Sequence, residues 1–261
     1  MLSLVLSIVA FSAIQPALAT VTAPAIFTQA AVRDTRGSTL PLDTPVYGHN
    51  GDLHPLRDWV DPQNPAVLTF NYAGCPMLCG LQQDGLAQTL DGLPMTPGTE
   101  FDLLTIGIDP TETPDLGRQA TEQLSARVGG QWIFLTAPET SVTQLTEAAG
   151  FSYQYDPISK QYAHPTATYI VSPDGQISQF FTALQPNPRD LRLALVEASN
   201  GQVGSVLDQV ALTCLQYDTT TNAYVAKGVM RSGGFAIMGG LLTFFGMLWY
   251  RDRKPWGGHN V

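Results

Sequence analysis

A buried-strand pattern followed at once by two closely spaced cysteines constrains this chain more than any other feature. Residues 66–72 form an apolar run whose length and continuity are typical of a central strand covered on both faces. Cys75 and Cys79 follow directly, and the whole chain has only three cysteines. Ligands of an open α/β sheet bind beyond the carboxyl ends of its strands. The position therefore predicts thiol chemistry or a soft metal at a sheet edge.

The elements around this strand predict an α/β fold. Helices are expected at 77–90, 114–128 and 189–199, and further strands at 101–108, 131–136, 167–172 and 176–181. The last two strands flank the turn Pro173-Asp-Gly175, which is typical of a hairpin. A shorter hairpin is expected around Asn50-Gly51. Strands that alternate with helices and end in a hairpin predict a thioredoxin-like mixed sheet with helices on both faces.

One further helix is predicted from its end signals. Ser141 and Gln144 have the spacing of a capping box, which places the start of this helix at Ser141. Gly150 is the expected stop, because glycine readily adopts the left-handed conformation that ends many helices.

Both ends of the chain have the character of membrane segments. Residues 1–19 read as a signal peptide, either cleaved or retained as an anchor. Residues 232–250 are uncharged and long enough to span a bilayer, and a basic tail follows at 251–261. We therefore expect a main domain at 20–199, a connector at 200–231 and a single-pass transmembrane helix. The domain would lie on the extracytoplasmic (periplasmic) side of the cell membrane.

The charge of the chain excludes some classes of binding partner. The chain has 13 Lys and Arg residues against 22 Asp and Glu, a net charge of −9, and no basic cluster in its main domain. Nucleic-acid binding depends on such clusters, so this class of partner is excluded. No P-loop or dinucleotide fingerprint is present either.

The two cysteines and one histidine form a candidate metal site. Cys75 and Cys79 bracket a predicted helix N-terminus, where the dipole stabilises thiolates. Two thiolates favour soft ions such as Cu(I) or Zn(II). His164 comes just before the strand at 167–172 and can complete a three-ligand set. The other three histidines flank the Asn50-Gly51 turn or lie in the tail.

These residues resemble the SCO/SenC family over about residues 35–195. The motifs that carry the resemblance are Leu68-Thr-Phe-Asn-Tyr-Ala-Gly-Cys-Pro-Met-Leu-Cys79, Ile106-Gly-Ile-Asp-Pro110, Tyr162-Ala-His164 and Tyr169-Ile-Val-Ser-Pro-Asp-Gly175. The resemblance implies a thioredoxin-like fold that binds Cu(I) or Cu(II) through Cys75, Cys79 and His164. It also implies a role in building the copper centre of cytochrome c oxidase, with subunit II as the copper-receiving membrane partner.

The chain departs from the family pattern at several positions. Ala163 stands where the family often has Asp, Gly80 stands where many members have Pro, and the clear membrane helix is C-terminal. Asp109 ends a predicted strand at the same sheet edge, either as a carboxylate that supports the site or as a turn residue. Met77 and Cys214 are expected to pack in apolar surroundings, with a metal or thiol contact as the alternative.

Three functions remain open at this stage. A metallochaperone would use all three predicted ligands. A thiol-disulfide oxidoreductase would use Cys75 and Cys79 as a redox pair and would not need His164. A structural disulfide is the third reading, although such a short loop constrains little chain entropy. The sequence favours the metallochaperone over an enzyme.

Overall fold

The computed structural model describes residues 30–75, 78–200, 208, 212, 215–218, 223–226, 243, 244 and 247. The predicted signal peptide lies outside these residues, as does the predicted membrane span apart from three positions. No helix in the described part of the chain has the length and apolar content needed to cross a bilayer.

The described part of the chain contains thirteen short strands and four longer helices. The strands are β1 (Ala31–Val32), β2 (Pro45–Tyr47), β3 (Leu53–Pro55), β4 (Ala66–Asn71), β5 (Asp102–Gly107), β6 (Ile133–Leu135), β7 (Phe151–Ser152), β8 (Gln154–Asp156), β9 (Gln161–Ala163), β10 (Thr168–Val171), β11 (Ile177–Phe181), β12 (Leu215–Asp218) and β13 (Ala223–Ala226). The helices are α1 (Leu78–Asp91), α2 (Pro114–Ser125), α3 (Glu139–Ala149) and α4 (Pro188–Ala198), with a 3-10 turn at Leu56–Trp59.

A five-stranded mixed sheet forms the centre of the domain, in the order β11-β10-β4-β5-β6. β4, β5 and β6 run parallel, whereas β10 runs antiparallel to both β4 and β11. Thr168 at the start of β10 pairs with Thr69 near the end of β4. The segment that enters β10 and the segment that leaves β4 therefore meet at one edge of the sheet.

Each face of this sheet carries its own apolar core. Phe70 and Ile106 face the core that contains residues of α3, and Val67 and Leu103 face the core that contains residues of α1, α2 and α4. Neighbouring strand residues point to opposite faces, so both cores are built from the same strands. The predicted mixed sheet with helices on both faces is confirmed.

The start of α3 corrects one prediction. This helix begins at Glu139, and its cap residue Pro138 makes no side-chain hydrogen bond. Ser141 is buried inside the helix and does not cap it. Gly150 does end the helix, with a left-handed φ of 65°. A Ser-x-x-Gln spacing inside a helix that begins earlier explains why the capping box misplaced the start.

Two hairpins were not predicted from the sequence. β8 and β9 form an antiparallel pair directly before His164. β12 and β13 form another pair within the predicted connector. This second hairpin is attached to the domain, because the buried Tyr224 donates a hydrogen bond from its hydroxyl to Glu197 Oε2 at 2.6 Å.

Candidate metal centre

Cys75 lies in a tight turn directly after β4. Its backbone N–H donates to the carbonyl of Tyr72 at 3.3 Å, which closes the turn. The side chain is half-buried against the apolar core on the α3 face, and its sulfur is disulfide-bonded. The central strand thus delivers the first cysteine to the sheet edge, as the sequence predicts.

Cys79 is the second residue of α1. The first turn of this helix carries no acidic residue that would oppose a thiolate at the positive end of the helix dipole. The Cys79 side chain lies outside the described part of the structure, as do Pro76, Met77 and Cys214. The paired geometry of the two sulfurs therefore stays a prediction.

His164 occupies the short segment between β9 and β10. Its Nδ1 lies 3.0 Å from the carbonyl oxygen of Pro165, which only accepts hydrogen bonds. Nδ1 therefore carries the proton, and the lone pair of the neutral ring resides on Nε2. Burial lowers the pKa of His164, although the contact with Pro165 opposes the shift. A neutral imidazole with a fixed tautomer is the form that binds metals.

Tyr72 connects the two sides of the candidate site. Its ring contacts the His164 imidazole edge-on, with 5.9 Å between the ring centroids. Its carbonyl accepts from the Cys75 amide, as described above. Phe151 adds a second ring at 6.0 Å from the imidazole. The structure therefore brings the Cys75 turn and His164 against the same aromatic residue.

Asp109 is a turn residue, and it also contacts the aromatic cluster around His164. Its Oδ1 accepts from the backbone N–H of Thr111 at 2.9 Å, which is the geometry of a turn residue. The same oxygen accepts from the Tyr162 hydroxyl at 3.4 Å. Tyr162 packs on Tyr72, with ring centroids 5.4 Å apart. Asp109 thus reaches the aromatic surroundings of His164 through one intermediate ring.

Glu112 is a site residue that the sequence reading missed. Its Oε1 accepts from the backbone N–H of Ala73 at 2.5 Å, two residues before Cys75. The residue is 8% exposed, and burial raises the pKa of its carboxyl to about 7. Its sequence context, a polar stretch before α2, is typical of an exposed loop. Only the strand register places it under the cysteine turn.

No group of three His, Cys, Asp or Glu side chains suited to a metal occurs among the described side chains. Because Cys79 is not one of them, the predicted set of Cys75, Cys79 and His164 is not tested by this result. His49 and His54 lie at the β2–β3 hairpin, where both contact Trp59.

The strand order and the Cys-x-x-x-Cys segment between the central strand and α1 define a thioredoxin-like protein. The chain belongs to the SCO1/SenC family, because the sequence profile of this family matches residues 61–198. A search of curated proteins found no match to the chain.

Solved structures show the same fold at low sequence identity. A protein of Aquifex aeolicus VF5 named for a proposed role in electron transfer is 22% identical, with a TM-score of 0.57, and the alignment covers 64% of this chain and 96% of that one. ScoI of Arabidopsis thaliana, solved with copper bound, is 16% identical with a TM-score of 0.50, covering 64% of this chain and 99% of that one. At these identities the likeness establishes the fold alone.

Proposed function

We propose that this protein is a membrane-tethered metallochaperone that binds copper through Cys75, Cys79 and His164. The observation that carries the proposal is the contact of Tyr72 with both the Cys75 turn and the His164 ring. Cys75 and His164 are far apart in the sequence, yet both lie against Tyr72, and both are donors of the kind that copper prefers. Membership of the SCO1/SenC family and the copper-bound ScoI of Arabidopsis thaliana support the same reading.

The donor set fits a cargo ion that must be released again. Two thiolates and one imidazole hold Cu(I) firmly, whereas three protein ligands leave one side of the ion accessible. An incoming Cys or His of a client can then displace the ligands one at a time. The lowered pKa of His164 keeps the imidazole unprotonated at neutral pH. Protons therefore compete little with copper for the imidazole nitrogen.

We propose cytochrome c oxidase, through its subunit II, as the client. The family resemblance supports this assignment. A single-pass helix at 232–250 would hold the domain at the extracytoplasmic membrane surface, beside an integral-membrane client. Residues 1–19 would direct the domain across the membrane as a signal peptide or as a second anchor.

Copper titration of the full-length chain tests the metallochaperone. The purified protein in detergent would be reduced anaerobically and titrated with Cu(I) against a competing chelator. We expect one copper per chain and an affinity at least about tenfold weaker in His164→Ala. His54→Ala is the matched control and should bind like the native chain. Equally weak binding by all three proteins would overturn the copper role.

A thiol-disulfide oxidoreductase is the second candidate, and the disulfide at Cys75 favours it. The Cys75 thiolate would attack a client disulfide and form a mixed disulfide, releasing one client thiolate. The Cys79 thiolate would then attack Cys75, which releases the second client thiolate and leaves this chain oxidised. The client gains two electrons and takes its two protons from water. Copper loading also requires the reduced pair, so the two activities are compatible.

A trapping experiment distinguishes the second candidate. The reduced full-length chain would be mixed with the copper-binding domain of subunit II in which the client cysteines are oxidised. An oxidoreductase that carries Cys79→Ser should accumulate a mixed disulfide through Cys75, whereas His164→Ala should reduce the client at the native rate. Absence of both the mixed disulfide and client reduction would exclude this activity.

A further inference from the structure

Two buried oxygens beneath the Cys75 turn have no hydrogen-bond partner. They are Oε2 of Glu112 and Oδ1 of Asn71. Asn71 ends β4 and pairs with Gly107 on the neighbouring strand β5. Glu112 Oε2 lies 2.6 Å from the position that a Cβ on Gly107 would occupy. Register partners on neighbouring parallel strands share one face of the sheet, so the Asn71 side chain and the Glu112 carboxyl lie on the same face, at the ends of β4 and β5.

The orientation of Asn71 follows from its other partner. Gln82 Nε2 donates to the carbonyl of Ala167 at 3.0 Å, and this carbonyl only accepts. Gln82 therefore presents its Oε1 to Asn71, whose Nδ2 donates to it at 3.4 Å. The amide nitrogen of Asn71 is used on the α1 side, so its oxygen must point elsewhere and still needs a donor.

Glu112 can supply that donor in its acid form. Its Oε1 is already an acceptor for the amide of Ala73. In a direct contact between the two groups, an ionised Glu112 would face Asn71 Oδ1 with a second acceptor, and two facing buried acceptors without a hydrogen between them are unfavourable. A neutral carboxyl group instead carries one O–H donor, which matches the single unmet acceptor.

We propose that Glu112, Asn71 and Gln82 form one buried network that holds the Cys75 turn at a fixed spacing from His164. The network begins at the amide of Ala73, two residues before Cys75, and ends at the carbonyl of Ala167, three residues after His164. Glu112 is its positioning residue and donates its acid proton to Asn71. The proposed spacing role rests on the proposed function, because it concerns the same candidate ligands.

The charges around Glu112 agree with this assignment. Burial is the largest cause of the raised pKa, and the carboxylate of Asp109 raises it further. The backbone N–H groups of Ala73 and Gly74 oppose the shift. Tyr72 also interacts with this carboxyl, which raises the pKa of the Tyr72 hydroxyl further. The Glu112 carboxyl is thus protonated below about pH 7, where it donates its hydrogen bond to Asn71. Ionisation at higher pH removes this hydrogen bond.

Two substitutions at position 112 test the network in the full-length chain. Glu112→Gln keeps the shape and offers an NH2 donor to Asn71 at every pH, whereas Glu112→Leu removes both polar groups. We expect Glu112→Leu to bind Cu(I) at least about tenfold more weakly than Glu112→Gln. Glu112→Gln should match the native chain at pH 6 and bind more tightly than it at pH 8.

A buried glutamine outside the site provides the matched control. Gln179 lies in β11 and is 6% exposed. Gln179→Leu should leave Cu(I) binding unchanged, whereas Gln82→Leu should weaken it. The proposal would be overturned if Cu(I) affinity were the same in Glu112→Leu, Glu112→Gln and Gln179→Leu. It would also be overturned if the ratio of the native Cu(I) affinity to that of Glu112→Gln were the same at pH 6 and pH 8.

A metal-free measurement separates failure of the network from failure of the copper role. The amide resonance of Ala73, observed after 15N-alanine labelling, should titrate with a midpoint near pH 7 in the native chain and stay constant in Glu112→Gln. Gln82→Leu should lower this midpoint by roughly 0.5–1 pH unit, because it removes the support for Asn71. An unchanged midpoint in Gln82→Leu would overturn the network even if copper binds, and the predicted shift would support it even if copper does not.

Discussion

The ring of Tyr72 contacts the imidazole of His164 edge-on, with the ring centroids 5.9 Å apart and the planes at 80°. The carbonyl of Tyr72 closes the Cys75 turn at the same time. One buried residue directly after the central strand therefore orients groups from two distant parts of the chain. Its ring contacts one proposed ligand and its backbone the turn of the other, so the ring can be altered while the turn is kept.

Removal of the Tyr72 ring should weaken metal binding through the loss of this packing. Tyr72→Ala should lower Cu(I) affinity about tenfold, because the His164 ring loses one of its supports. It should also cost about 3–5 kcal/mol of unfolding free energy. Tyr72→Phe keeps the ring contact and should stay within about twofold of the native affinity. Chelator competition and urea denaturation would measure the two effects, and equal affinities for both variants would contradict the supporting role.

A methyl group on Gly107 should displace the Glu112 carboxyl. The Cβ would approach Oε2 to 2.6 Å and Phe134 to 3.2 Å. We expect Gly107→Ala to cost about 1–3 kcal/mol of stability, as overpacked cores do. Gly129→Ala is the control, because its Cβ meets nothing within 4 Å. Thermal unfolding of the two variants would measure this cost. Similar melting temperatures would show that the Glu112 carboxyl is not held next to Gly107.

Asp102 predicts a specific pH dependence of stability. Burial raises the pKa of this carboxyl to about 6, although the amide of Asp61 donates to it at 2.6 Å. The folded state therefore holds this proton more tightly than the unfolded state, whose pKa is about 3.9. The stabilisation is complete below about pH 4 and is lost as the pH rises through 6.

The neutral variant Asp102→Asn isolates this effect. Relative to the native chain, its stability should increase between pH 4 and pH 6.5 and then level off. Denaturant unfolding at several pH values would measure the difference. A difference that is constant over this range would show that Asp102 does not titrate between the folded and unfolded states.

The C-terminal hairpin should contribute measurably to the stability of the domain. Tyr224→Phe removes the hydroxyl that donates to the Glu197 carboxyl, a partly buried bond of 2.6 Å. We expect a loss of about 1–3 kcal/mol. Tyr155→Phe alters a tyrosine that is 46% exposed and should change little. Equal unfolding free energies for the two variants would indicate that the hairpin is not part of the cooperative unit.

The central strands and their helices could be predicted because their patterns are local. The apolar run at β4 and the glycine that ends α3 are visible in the sequence itself. The β8–β9 hairpin lacks such a signal, since its turn uses Lys160 at a φ of 56° where glycine is the usual residue. Its side chains also alternate weakly, because the strands have only three residues each.

The candidate site was predictable only in part for a related reason. Two cysteines close together and a histidine before a strand can be recognised as candidate metal ligands from their residue types alone. Glu112 is a common residue in a polar stretch, and its burial depends on the pairing of β4 with β5 and on the space left by Gly107. The residues next to Glu112 in the sequence therefore give no sign that its side chain is buried.

The antiparallel pairing of β10 with β4 also affects when the site can exist. The two thiols are neighbours in any conformation of the chain, including nascent and denatured ones. In the proposed copper site, the imidazole of His164 would join them only after a long loop has closed and the sheet has formed, a slow step of high contact order. Chains that are still folding would therefore bind soft metals as simple dithiols, and the complete donor set would belong to the mature protein alone.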